Sequence, residues 1–194
     1  MKKYFVFILC IMVFSLCFVC GCVSTAGQKS EYSDNEYSEY PFLTMTSDGM
    51  FNADELITWR EALGMFQKNY GAIYDQSEDK LDMPIVRGEF MNYMVRAFNK
   101  FPAVSDTNKP VKYNDIADSQ YKNDIDKLSA AGLLEETENG MFYPEGHMTR
   151  IEVVKFLATV SKRSNTWRET GESYKDVTPE CEYYKIVMNA LCGK

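Results

Sequence analysis

The sequence predicts a mainly α fold assembled from repeated helical units, and three observations carry that expectation. A segment opening "YNDIADSQYKNDIDKLSAAGLL" at Tyr113 returns as "YKDVTPECEYYKIVMNALCGK" at Tyr174, with Asp115 matched to Asp176, Ile125 to Ile186 and Gly132 to Gly193 at identical spacing. Apolar residues in both copies recur at helical intervals, and each copy closes on glycine, the residue that takes a left-handed helix cap most readily. The length agrees, because 194 residues with 45% hydrophobic content suit one modest domain plus a leader and a linker. The formal charge of -7 counts Lys2 and Lys3, so the chain beyond them is more acidic still and non-specific nucleic-acid binding is not expected.

Taken in order, "MKKYFVFILCIMVFSLCFVCGC" has a basic start, an apolar run from Tyr4 to Val19, then Gly21 and Cys22, the layout of an export signal. The run is short for a membrane span of about 20 residues. Gly21 before Cys22 resembles the lipobox of bacterial lipoproteins. That resemblance implies removal of residues 1–21, a diacylglycerol on the Cys22 thiol and anchoring at the extracytoplasmic face of the membrane; an uncleaved signal anchor is the alternative. Residues 22–48 are rich in Ser, Glu, Asp and Tyr without periodicity, and read as a disordered acidic tether averaging ~25 to 30 Å from end to end.

Residues 49–100 form a divergent first copy of the repeat. In the preferred register it starts at Phe51, runs through "WREALGMFQKNYG" and needs one inserted residue before Gly71. In the other register Thr58 and Glu61 form a capping box of their own and Phe51 to Phe66 is a remnant of a repeat's second helix. Residues 113–163 are the second copy and 174–194 the third, which stops after one helix. Asp118 and Thr178 with Pro179 are the expected starts of the first helix in these copies. Thr149 and Glu152 spell a capping box at a second helix, whose apolar face is Val153, Phe156, Leu157 and Val160. Val86 stands at the matching position of the first copy, ahead of Phe90, Met94 and Ala97, and the absent cap costs about 1 kcal/mol. Capping leaves Arg87 and Arg150 without a structural task, since a cation is mildly unfavourable at a helix N-terminus.

The ordered set of Tyr113, Asp115, Tyr121, Ile125, Gly132, "GMFYP" at 140–144, then Thr149, Arg150 and Glu152 resembles the S-layer homology repeats of bacterial envelopes. The resemblance covers about Phe51 to Lys194, with Tyr121 where the family commonly has tryptophan. It implies a pseudo-threefold module with a central three-helix bundle of first helices, and arginines facing grooves that bind cell-wall polysaccharide, usually a secondary wall polymer with pyruvate ketals. The implied binding residues are Arg87, Glu89, Asp115, Tyr121, Gly132, Arg150, Glu152 and Asp176. A forked guanidinium meeting a carboxylate suits such a ligand.

Other features read more plainly. His147 has no ligand cluster around it, and the acidic "DQSEDKLD" at 75–82 lacks the glycine and glutamate of a calcium loop, so no metal or cofactor is expected. Cys181 and Cys192 lie at opposite ends of one expected helix, too far apart for a disulfide between them. Trp167 is a linker aromatic that packs back on the module. No nucleophile with a base, no paired carboxylates and no phosphate loop is evident, and the expected function is non-enzymatic wall binding. The alternative is an envelope protein-protein interaction module with eroded grooves. With the third copy truncated, the last helix is expected to expose Tyr183, Val187 and Leu191 to a partner or a second copy.

Overall fold

Among the described residues, three segments of the same local design lead into three of the five α-helices. The computed structural model describes residues 41–70, 76–98, 110–162 and 166–193. All fall in the second of two compact units, Tyr32–Lys194. The leader with Cys22, the tether up to residue 40, Gly71, Asp75 and Lys194 lie outside the described residues. The fold is mainly α: α1 (Trp59–Tyr70), α2 (Arg87–Ala97), α3 (Lys122–Ala130), α4 (Arg150–Val160), α5 (Tyr184–Cys192) and one short 3₁₀ turn at Glu78–Lys80. Extended pairing among the described residues is limited to three isolated bridges, Leu56 with Thr149, Thr58 with Pro84 and Val86 with His147.

Those bridges close a ring. The Ile57 N–H donates to the Met148 carbonyl (3.1 Å), the Met148 N–H to Ile85 (2.9 Å) and the Ile85 N–H to Ile57 (3.0 Å). All three side chains are buried. The same rotation satisfies the orphan donors that every helix N-terminus leaves. Arg150 and Ile151 at the start of α4 donate to the carbonyls of Glu55 and Ala53; Arg87 and Gly88 at the start of α2 donate to Gly146 and Pro144; Trp59 and Arg60 at the start of α1 donate to Met83 and Leu81.

The apolar periodicity of each helix builds one core around this ring. Ala62, Leu63 and Phe66 of α1, Phe90, Met91 and Met94 of α2, and Val153, Phe156, Leu157 and Val160 of α4 are all buried. α3 packs on α2 and α5 on α4. Gly88 permits one close approach, because a Cβ there would lie 2.0 Å from the Tyr121 ring.

Several expectations change. Of the stretch Phe51 to Phe66 that the second register made one helix remnant, only the part from Trp59 on is helical; ahead of it the Asp176 carboxylate accepts from the N–H groups of Phe51 and Asn52, both at 2.7 Å. Asp115 holds Phe142 (2.7 Å) and Tyr143 (2.6 Å) in the same way. Thr58 and Glu61 cap α1, with the Thr58 N–H 3.0 Å from Glu61 Oε2, which is the box that the second register contained. α3 and α5 start later than Asp118 and Thr178, at Lys122 and Tyr184, because those two residues stand in turns closed by Ser119 N–H to Ile116 and by Cys181 N–H to Thr178. Cys181 therefore precedes α5, half-buried, while Cys192 is buried, both as free thiols.

The last helix is covered. Val187 and Leu191 are buried and Tyr183 is half-buried. Phe42 and Leu43, assigned above to the tether, are buried too, and both donate to the Ala190 carbonyl at 2.9 and 3.0 Å. On the other side Trp167 meets Tyr184 edge-on at 5.6 Å and Arg168 donates to the Gly193 carbonyl. The apolar flank expected to recruit a partner is therefore used internally.

The Asp176 clamp joins segments more than 120 residues apart. Asp176→Ala is expected to lower unfolding stability by about 2 kcal/mol, the scale for hydrogen bonds to a charged group. Denaturant melts measure the loss, and amide exchange should accelerate at residues 42–52 but not at 142–143, which Asp115 holds.

Candidate functional site

The two arginines left without a task by capping each reach a glutamate that caps another helix. Arg87 Nη2 lies 2.7 Å from Glu152 Oε1, while Glu152 Oε2 accepts from the Thr149 N–H at 2.8 Å and the Thr149 hydroxyl caps the Glu152 N–H. Arg150 Nη2 lies 2.8 Å from Glu61 Oε1, with Glu55 beyond at 3.8 Å, and Glu61 Oε2 accepts from Thr58. Each carboxylate thus serves its own helix with one oxygen and a neighbouring guanidinium with the other. At the third such position Trp59 stands where an arginine would, buried against Phe90 and Tyr93 with ring centroids 6.1 and 5.5 Å away. The matching glutamate, Glu89, pairs with Lys80 at 3.1 Å instead.

Both arginines are mostly enclosed, with side-chain exposures of 19% for Arg87 and 14% for Arg150. The Nε of each is buried without an acceptor. Beside Arg87 runs a groove of about 360 Å³, walled by Tyr113, Phe142, Tyr143, Glu152 and Lys155. The guanidinium carbon sits 6.0 Å from the centroid of the Phe142 ring. Beside Arg150 a smaller groove of about 210 Å³ has Tyr174, Phe51 and Glu61 in the matching places, with Thr44 and Lys68 on its wall. The Tyr113 hydroxyl donates to the Glu135 carbonyl at 2.7 Å and the Tyr174 hydroxyl to Thr44 at 2.9 Å. Burial pushes both phenols up to about 12, so neither ionises near neutrality.

The implied binding residues therefore separate. Arg87 and Glu152 share the larger groove, and Arg150 lies in the smaller one. Asp115 and Asp176 hold backbone N–H groups. Gly132, at φ 72°, forms the turn after α3. Glu89 and Tyr121 lie near each other and apart from both grooves: burial raises the Tyr121 phenol, with Glu89 adding to it. Sequence reasoning missed Glu61, Phe142, Tyr143 and Lys155 as groove residues. A signal existed for three of them, because "DGMFNADELITWRE" at 48–61 and "NGMFYPEGHMTRIE" at 139–152 align without a gap.

Burial alone would raise the Glu61 carboxyl, but the Thr58 N–H and the Arg150 guanidinium outweigh it and hold the group below its ordinary value of 4.5. A depressed folded-state value means the stabilisation is complete above the unfolded value and is lost as pH falls through the folded one. Melting temperature followed downward from about pH 5 should fall less steeply for Glu61→Gln than for the wild type. Equal slopes would remove Glu61 from the acid response.

Among the described residues no helix is long and apolar enough to cross a membrane, and no group of three or more His, Cys, Asp or Glu could hold a metal ion. No curated protein and no solved structure matches the chain. The family model of the S-layer homology domain matches residues 112–154, the stretch from the start of the Asp115 clamp through the Arg150 helix start. Residues 112–154 therefore match the S-layer homology domain, which suggests association with the cell wall or envelope.

Proposed function

We propose that this protein is a non-enzymatic envelope lipoprotein, anchored through Cys22, that binds an anionic cell-wall polysaccharide beside Arg87. The observation that carries the reading is a groove of about 360 Å³ with a guanidinium, the aromatic rings of Tyr113, Phe142, Tyr143 and Phe156, and a lysine along its wall. Its size suits one or two sugar rings. The guanidinium has an enclosed Nε without an acceptor, so its donors are not all satisfied within the protein. An incoming carboxylate, such as a pyruvate ketal, would meet a planar fork already oriented by Glu152.

The same reading treats the described residues as a pseudo-threefold module. α3 and α4 make one complete repeat. α5 and the segment from residue 41 through α1 make a second, joined by Asp176 although the two parts lie far apart in the sequence. α2 is what remains of a third. The hydrogen-bond ring of Ile57, Ile85 and Met148 supports this threefold relation. Arg150, more enclosed and facing the smaller groove, is the more structural of the two arginines.

Arg87→Ala is expected to weaken binding to purified wall polymer by about 1.5 to 3 kcal/mol, with Arg87→Lys recovering part of it because the charge stays and the fork is lost. Sedimentation with isolated polymer measures both. Unchanged binding by a folded Arg87→Ala variant would refute the groove. For the anchor, Cys22→Ala should leave the leader uncleaved and the protein unlipidated, as read by mass spectrometry of the membrane fraction.

A further inference from the structure

We infer that Tyr143 is a sugar-stacking platform at the mouth of the Arg87 groove and decides which saccharide enters; the inference rests on the polysaccharide reading above. Three observations carry it. The first is backbone strain: Tyr143 adopts φ 58°, a region that bulky side chains enter at a cost and asparagine tolerates. Its counterpart in the other clamp, Asn52, has nearly the same φ of 56°. Both are fixed there by a carboxylate accepting their N–H, Asp115 for Tyr143 and Asp176 for Asn52. The loop geometry therefore belongs to the clamp, and the clamp does not need an aromatic ring.

The second observation is that the ring is not used by the core. Tyr143 is 52% exposed, a state it shares among the large hydrophobic side chains of the described residues only with Leu56 and Met83. Its neighbour Phe142 is buried and supplies the packing. The third is orientation: Tyr143 lines the groove, and Asn139 Nδ2 donates to its hydroxyl at 2.7 Å, which holds the ring in one setting. A fixed, exposed ring beside a guanidinium offers a flat apolar face to the C–H side of a sugar while the cation takes its anionic group. Asn52 is not among the residues lining the smaller groove. The two sites consequently differ in the chemistry they present, and the Arg87 groove is the one equipped for a pyranose ring.

Tyr143→Asn supplies the test, since it installs the residue that the same backbone carries at position 52. The full chain is titrated with soluble anionic polysaccharide released from purified bacterial cell walls, and thermal melting is followed in parallel. Tyr143→Asn should melt no lower than the wild type and bind about tenfold more weakly, whereas Tyr143→Trp should bind within about twofold of it. Wild-type affinity in Tyr143→Asn together with lost binding in Arg87→Ala would overturn the platform and leave the groove standing. Wild-type affinity in both would remove the groove itself. A lower melting temperature in Tyr143→Asn, with binding also lost in Tyr143→Phe, would make the residue structural and overturn the inference.

Discussion

The module depends on a closed exchange of backbone hydrogen bonds among three short segments that precede helices. A lone extended segment of three residues has no stability, and the N-terminus of a helix leaves four unsatisfied N–H groups. Here each segment supplies carbonyls to the first turn of another helix, and Ile57, Ile85 and Met148 bond to one another in a circle with their side chains buried. No segment is satisfied until all three are present. The helices then have fixed starting points, and their apolar faces converge on one core.

Fixed helix starts also determine where charge is tolerated. Arg87 and Arg150 sit at first helical positions, against the helix dipole. The capping glutamates Glu152 and Glu61 offset that cost by presenting their second oxygen across the helix boundary. At the third boundary Trp59 removes the cation from the ring, and Lys80 answers Glu89 from the short 3₁₀ turn. Partly exposed pairs of this kind stabilise modestly. Their larger effect is to hold two guanidinium planes in set orientations at the walls of two grooves.

Helix content and the apolar faces were legible in the sequence because a period of 3.6 is written locally. So were the box at Thr149 and the left-handed glycines, Gly132 at φ 72° and Gly193 at φ 67°. The helix starts at Asp118 and Thr178 were not, because a turn and a helix N-terminus use the same residues and the same early hydrogen bonds. The first segment was placed by glycine spacing, while the carboxylate that holds its backbone, Asp176, lies 125 residues from Phe51. The arginine partners are 65 and 89 residues away and leave no local trace. Tyr143 was hidden for a different reason: an aromatic in a "GMFYP" motif reads as core until the positive φ and the exposure are known.

The clamp between Asp176 and the Phe51 to Asn52 backbone has a bearing on how the chain acquires its shape. α3 and α4, with the Asp115 clamp between them, can assemble from residues fewer than 50 apart, and such local contacts form early. The segment from Phe42 to Tyr70 precedes α3 and α4 in the chain yet finds its covering helix only when α5 has been made. Until then Phe42, Leu43 and Phe51 have no shelter from that helix.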